Sequence, residues 1–237
     1  MNAVPSMLDD SHGRVLALTK EAFATAHAAA SAAAEGVATS SSKRLEALRE
    51  HEAELDRLDF EVDELVTRSI TSTSESQARD LLACMKFVIG LERIGDLLLN
   101  FSNRAVSVVN KIDIQDTKDL TMMASRLEKM ISDAEQSFSL RSLDRAVAVL
   151  RADGELDRLR NLIVLRHLED SGARYQESFH VLFMAQSVER AGDHAKNIAE
   201  EVCHLVSGQP VRHVLRSYDK PIEQMFIDKL RSKSKRA

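Results

Sequence analysis

The sequence contains few of the residues that interrupt helices, cross-link chains or build sheets. Its 237 residues include 8 glycines, 3 prolines, 2 cysteines and no tryptophan, and only 4% are aromatic. Two cysteines argue against a disulfide scaffold and are typical of a reducing compartment. The shortage of aromatic residues argues against a core made of strands. No apolar run reaches the ~18 residues that a membrane-spanning helix requires.

The charge of the chain also excludes some classes of protein. The net charge is -5, which does not favour nucleic-acid binding by the chain as a whole. The N-terminus carries Asp9 and Asp10 and no basic segment before an apolar stretch, so we expect no signal peptide. We therefore predict a cytoplasmic protein.

The residues that are abundant favour helices. Hydrophobic residues make up 44% of the chain, and Ala, Leu, Glu and Arg are common. Apolar residues recur at helical spacing in six long segments, which we place at about 13–38, 43–71, 75–110, 118–137, 139–170 and 173–207. Lys111–Lys118 is predicted to be a linker, and Gly208 with Pro210 should end the last helix. The first helix is rich in alanine and is expected to be held less firmly.

A nine-residue string occurs twice. The pattern Glu-Arg-x-Gly-Asp-x-x-x-Asn runs from Glu92 to Asn100 in the third helix and from Glu189 to Asn197 in the sixth, 97 positions later. A weaker match pairs Asp59 and Asp63 with a second pair of aspartates 94 positions later, Asp153 and Asp157. These repeats predict an all-α fold of two tandem three-helix bundles, at 13–110 and 118–207, followed by a basic C-terminal tail at 208–237.

The spacing inside the string places carboxylates on one helix face. Positions i, i+4 and i+8 lie close to one line on a helix, so Glu92, Asp96 and Asn100 form an oxygen-bearing stripe beside the apolar face. Like charges at i, i+4 repel by a few tenths of a kcal/mol, and a cation bound between them would make the interaction favourable. Gly95 and Gly192 cost about 0.5–1 kcal/mol each in a helix interior, so a neighbouring helix or ion should approach closely there.

Oxygen ligands without Cys or His select hard cations such as Mg²⁺, Mn²⁺, Ca²⁺ or iron. The alternative interpretation is a solvated acidic face, on which Arg93 and Arg190 simply neutralise the neighbouring carboxylates. Gly within each string and the second copy of the whole string favour a ligand site over that alternative.

The two strings resemble those of the PhoU family of phosphate-signalling proteins. The similarity is carried by Leu91–Asp96 with Asn100 and by Val188–Glu200, and it covers most of 43–213. The resemblance implies binding of iron, Mn or Mg in multinuclear clusters. The matching positions are Asp59, Asp63, Glu92, Asp96, Asp153, Asp157, Glu189 and Asp193.

The same resemblance implies a role and partners. Such a protein would be a cytoplasmic homodimer that restrains phosphate uptake and phosphate-starvation signalling. It would contact the ATPase subunit of a phosphate ABC transporter and a sensor histidine kinase, and would reach the membrane only through these partners. Regulation of a different, non-ABC phosphate transporter is the alternative within the family.

Two other classes of function have weaker support in the sequence. A di-iron carboxylate enzyme needs Glu-x-x-His motifs on two helices. Here Glu177–His180 and Glu201–His204 share the sixth helix and lie about 36 Å apart along it. The basic tail is compatible with lipid or nucleic acid, but specific nucleic-acid binding is not expected. Because no nucleophile–base pair, phosphate loop or dinucleotide motif is present, we expect no catalytic activity.

Overall fold

The computed structural model describes residues 7–169 and 175–208, and helices account for nearly all of them. The helices are α1 (Met7–Ala38), α2 (Ser42–Glu46), α3 (Leu48–Ser69), α4 (Glu75–Val108), α5 (Ile114–Ser139), α6 (Leu143–Glu169) and α7 (Tyr175–Ser207), with a 3₁₀ turn at Ile70–Ser72. The fold is therefore all-α, and its six long helices confirm the predicted number.

Three differences from the predicted bounds stand out, and the first is that α1 begins at Met7, six residues before the predicted start at 13. The second predicted helix is divided at Ala47 into the short α2 and the long α3. Helix α5 begins at Ile114, inside the predicted linker, because the Asp113 side chain accepts a hydrogen bond from the backbone N–H of Asp116 at 2.8 Å. The basic tail predicted at 208–237 lies outside the described residues, apart from Gly208.

The six long helices form two three-helix bundles that share a core. Helices α1, α3 and α4 pack against one another, as do α5, α6 and α7, while α4 contacts α7 and α1 contacts α5. Phe87 of α4 lies in the middle, with ring centroids 6.1 Å from Phe23 and 4.9 Å from Phe138. Since Phe23 belongs to one bundle and Phe138 to the other, the hydrophobic core is continuous through the molecule.

The alanine-rich helix α1 is packed against three long helices and the short α2. It contacts α3, α4 and α5, and its alanines at 22, 26, 30 and 33 are fully buried. Small side chains let these helices approach closely, so the helix contributes through proximity and not through large side chains. This burial argues against the expectation that the helix is held less firmly.

Two local features bear on the sequence predictions. Ser74 begins α4 with a capping box, in which its hydroxyl accepts from the Gln77 N–H and the Gln77 side chain accepts from the Ser74 N–H. Cys84 and Cys203 are both buried free thiols, in agreement with the absence of a disulfide scaffold. None of the helices in the described residues has the length and apolarity needed to cross a membrane.

Candidate functional site

The duplicated string lies on α4 and α7, where each copy has one buried face and one face rich in carboxylates. On α4 the predicted core stripe is buried throughout; it consists of Phe87, Leu91, Ile94, Leu98 and Phe101. Glu92 and Asp96 stand beside this stripe, partly exposed. The amphipathic arrangement predicted from the spacing is therefore confirmed.

The glycine of each string is required by a neighbouring helix. A Cβ atom added at Gly95 would lie 2.6 Å from Cδ1 of Leu55 on α3. A Cβ atom at Gly192 would lie 2.4 Å from Cδ1 of Leu156 on α6. Each leucine thus packs directly over a glycine, which brings α3 close to α4 and α6 close to α7. The same close approach aligns the acidic residues of the two helices in each pair.

The leucine–glycine contacts correct the register of the internal repeat. Leu55 and Leu156 make equivalent contacts and lie 101 positions apart, whereas an offset of 94 was predicted for these helices from the aspartate pairs. The difference is seven residues, or about two helical turns. At the structural offset, Glu52 and Asp56 correspond to Asp153 and Asp157. Asp59, in turn, corresponds to Arg160.

We define the first carboxylate cluster as Glu52, Asp56 and Asp59 of α3 together with Glu92 and Asp96 of α4. Burial raises the pKa of Glu92, and so do the charges of Asp96, Asp56 and Asp59, while Arg93 opposes the shift. Burial also raises the pKa of Glu52, and the charges of Asp56 and Asp96 act in the same direction. A Cβ atom added at Gly95 would lie 3.7 Å from Cα of Glu52, so carboxylates of α3 and α4 are close enough to affect one another.

Arg93 gives partial support to the neutralisation alternative. Its guanidinium lies 3.3 Å from a carboxylate oxygen of Glu92 and 3.3 Å from one of Asp96, both on its own helix. The Arg93 side chain is 57% exposed, so each ion pair contributes about 0–1 kcal/mol. Arg49 opposes the rise in the pKa of Glu52, so two arginines partly offset the negative charge of the five carboxylates.

We define the second carboxylate cluster as Asp153 and Asp157 of α6 together with Glu189 and Asp193 of α7. Here two protein cations enter the groove. Lys196 of α7 donates to Asp153, which is only 8% exposed, and Arg160 of α6 donates to Glu189 at 3.3 Å. Burial raises the pKa of Asp153, with Lys196 opposing that shift and the charges of Asp193 and Asp157 adding to it. The second cluster therefore has its own compensating charge.

The structure brings together seven of the eight carboxylates that were predicted from the sequence. The eighth, Asp63, is exposed and lies one turn beyond Asp59; burial and the charge of Asp63 raise the pKa of Asp59, but Asp63 is not among the charges that act on Glu92. Glu52 and Asp56 were not predicted. Glu52 and Asp56 form another i, i+4 carboxylate pair on the same helix as Asp59 and Asp63. The sequence alone did not show which of these two pairs corresponds to Asp153 and Asp157.

The donor chemistry of the first cluster suits a hard cation, because it consists of carboxylates that raise one another's pKa. Within the described residues, however, no group of three or more His, Cys, Asp or Glu side chains is arranged to hold a metal ion. The carboxylates of the first cluster would have to move closer together before they bound one.

A separate polar network joins α5, α6 and α7 at the other end of the second bundle. Asp116, which is 3% exposed, accepts hydrogen bonds from Arg166 and from Nε2 of His167, the latter at 3.0 Å. Arg166 also donates to Asp119 at 2.7 Å, and Nδ1 of His167 lies 2.9 Å from the Ser178 hydroxyl. This network connects three helices through buried charges and was not foreseen from the sequence.

Comparisons with known proteins support the class that this architecture defines, a duplicated three-helix bundle. The sequence model of the PhoU domain matches residues 19–105 and 120–202. A protein of Zymomonas mobilis, named phosphate-specific transport system accessory protein PhoU homolog, is 28% identical over 89% of this chain and 91% of its own length. A Pseudomonas aeruginosa protein with the same name is 30% identical over 70% of this chain and 72% of its own.

Solved structures show the same fold. The crystal structure of PhoU from Pseudomonas aeruginosa superposes with a TM-score of 0.78 at 24% identity, covering 85% of this chain and 99% of that one. The phosphate transport system regulatory protein PhoU from Streptococcus pneumoniae superposes with a TM-score of 0.72 at 18% identity, covering 86% and 97%. The chain belongs to the PhoU family.

Proposed function

We propose that this protein is an accessory regulator of phosphate transport, which binds hard cations and restrains phosphate uptake and phosphate-starvation signalling. The observation that carries the proposal is the family match over both halves of the chain, together with a carboxylate groove in each half. The two relatives are named as accessory proteins of a phosphate-specific transport system, and the match covers most of their length. The proposal includes no catalytic activity.

For partners, we propose the ATPase subunit of a phosphate ABC transporter and a sensor histidine kinase, with the protein acting as a cytoplasmic homodimer. An adaptor of this kind needs exposed helix faces for contacts and a stable scaffold behind them. The continuous core through Phe87 supplies such a scaffold. Exposed apolar side chains supply contact surface; on α6 and α7 they include Leu162, Leu165, Leu168, Phe179 and Phe183.

For the cation, we propose Mg²⁺, Mn²⁺ or iron, bound first of all by Glu52, Asp56, Asp59, Glu92 and Asp96. A cation there would relieve the repulsion that raises the pKa of Glu92. Elemental analysis of protein purified without chelator should show one of these metals at stoichiometric amounts. The double variant Asp56→Asn/Asp96→Asn should lose it, and Asp63→Asn is the matched control because Asp63 lies outside the cluster. Absence of metal from the unchanged protein would remove this part of the proposal.

The regulatory role is tested in cells. Deletion of the gene should raise phosphate uptake and the expression of phosphate-starvation genes under phosphate-replete conditions. Restoring the unchanged gene should reverse both effects, and the ATPase subunit should co-purify with the tagged protein. An unaltered starvation response after deletion would contradict the proposal and would favour a role with a non-ABC phosphate transporter.

A further inference from the structure

The two carboxylate clusters occupy equivalent positions in the two halves, but only the second contains ion pairs between its two helices. At the structural offset of 101, Asp59 of the first cluster corresponds to Arg160 of the second. At the offset of 97 that relates α4 and α7, Leu99 corresponds to Lys196. Thus one carboxylate and one apolar side chain of the first half are replaced by two cations in the second half.

Both cations point into the second cluster. Lys196 donates to the buried carboxylate of Asp153, and the Lys196 side chain is itself only 30% exposed. Arg160, 29% exposed, lies 3.3 Å from Glu189. Each pair joins α6 to α7, on opposite sides of the contact between Leu156 and Gly192. An ammonium and a guanidinium therefore take up carboxylate oxygens that a metal ion would need as ligands.

In the first cluster no ion pair among the described residues joins α3 to α4; the charge of Arg93 on α4 does oppose the rise in the pKa of Asp59 on α3. Arg93 binds Glu92 and Asp96 along its own helix, and the carboxylates from α3 and α4 raise one another's pKa. A protein cation that is covalently attached competes with a free ion at any metal concentration, since it is always present beside the carboxylates. The second cluster therefore does not fit a metal, because protein cations already occupy its carboxylates.

We infer that Lys196, together with Arg160, takes the place of a metal ion in the second carboxylate cluster, so that the two halves of this protein are functionally unequal and only the first binds a divalent cation. Only the part of the inference that concerns the first half rests on the proposed function. It makes Lys196 and Arg160 specificity-determining residues that exclude divalent ions from the second half.

The test uses the full chain, Mn²⁺ as the probe and the number of ions bound per chain as the readout. Arg160→Asp/Lys196→Leu gives these two positions the residues found at Asp59 and Leu99 in the first half, and it should add one Mn²⁺ per chain. Arg160→Gln/Lys196→Gln removes the same two charges while keeping hydrogen-bond donors, in case the first variant fails to fold. Added Mn²⁺ should also raise the thermal midpoint of both variants.

A matched control removes a lysine and an arginine from another largely buried aspartate. Lys129 and Arg145 contact Asp133 at 2.8 and 3.5 Å, and Asp133 is 9% exposed. Lys129→Gln/Arg145→Gln therefore makes the same change in net charge as the double glutamine variant and should add no ion. In the reverse direction, Leu99→Lys should weaken binding of Mn²⁺ to the first cluster at least about tenfold.

The outcomes separate this inference from the proposed function. If Asp56→Asn/Asp96→Asn loses only part of the bound Mn²⁺, or if neither double variant that folds gains an ion, the inference is overturned while metal binding by the first cluster stands. No ion in the unchanged protein but one in the double variants would contradict metal binding by the first cluster, and would still support the exclusion of ions from the second cluster by Lys196 and Arg160. An ion gained equally by the control would also overturn the inference.

Discussion

The contact between Gly95 and Leu55 leads to a quantitative prediction about the groove between α3 and α4. In Gly95→Ala the new Cβ would lie 2.6 Å from Cδ1 of Leu55. Carbon atoms pack best at about 3.5–4.0 Å, so the leucine or the helix must move by about 1 Å. Leu55 is fully buried, which leaves it little room to do so.

Two effects of opposite sign decide the stability of this variant. Alanine is favoured over glycine in a helix interior by about 1 kcal/mol. Overpacking of a core costs about 1–3 kcal/mol. The unfolding free energy should therefore fall by about 0–2 kcal/mol. Gly154→Ala is the matched control, since Gly154 lies within α6 and a Cβ atom added there would meet nothing within 4 Å, so the control should gain about 1 kcal/mol.

The assay is thermal and urea unfolding of both variants without metal. For a chain of this length about 1 kcal/mol shifts Tm by roughly 2–4 °C, so the two variants should differ by about 2–12 °C. Leu55→Ala should cost about 2–5 kcal/mol alone, and combining it with Gly95→Ala should recover at least about 1 kcal/mol as a coupling energy. If Gly95→Ala stabilised the protein as much as Gly154→Ala does, the close approach of α3 and α4 would be refuted.

Three further predictions concern charge and burial. In the presence of a chelator, Glu92→Gln should raise Tm at pH 7, because burial and neighbouring charges raise the pKa of Glu92 in the folded state. Ionised Glu92 opposes folding above that pKa, so the gain in Tm should shrink as the pH falls towards ~4. A gain in Tm that stayed constant with pH would contradict this reasoning. Asp116→Ala leaves Arg166 and His167 without their shared partner and should lower the free energy of unfolding in urea by about 2–4 kcal/mol. The control is Glu75→Ala, which breaks the exposed ion pair with Arg79 and should lower it by less than about 0.5 kcal/mol. Burial raises the pKa of the Cys84 thiol to about 11 and of the Cys203 thiol to about 12, so a thiol reagent at pH 8 should label neither in the folded protein and both in denaturant.

Much of the fold follows from local patterns in the sequence. Apolar residues at helical spacing predicted the six long helices, and the shared string predicted the duplication, because each depends on residues within a few turns of one another. Helix ends were less predictable. The start of α5 at Ile114 depends on one capping side chain, that of Asp113, within a segment that otherwise has the composition of a linker.

The candidate site shows where local information was insufficient. Acidic pairs recur along α3 at Glu52 with Asp56 and at Asp59 with Asp63, seven residues apart. A shift of seven residues returns a helix to nearly the same face, so periodicity does not distinguish the two registers. The contact of Leu55 with Gly95 does distinguish them, because only one register places a leucine over the glycine.

The helices, the duplicated string and the carboxylates of α4 and α7 follow from the amino-acid order alone, since these depend on spacing along a single helix. Which carboxylates of α3 face them depends on how the helices pack, and so does the reach of Lys196 to Asp153, a partner 43 positions away. Packing also places the alanine-rich α1 against three long helices and the short α2. The physical reason is the same in each case: contacts between helices depend on their register and distance, and neither is encoded in the periodicity of one helix.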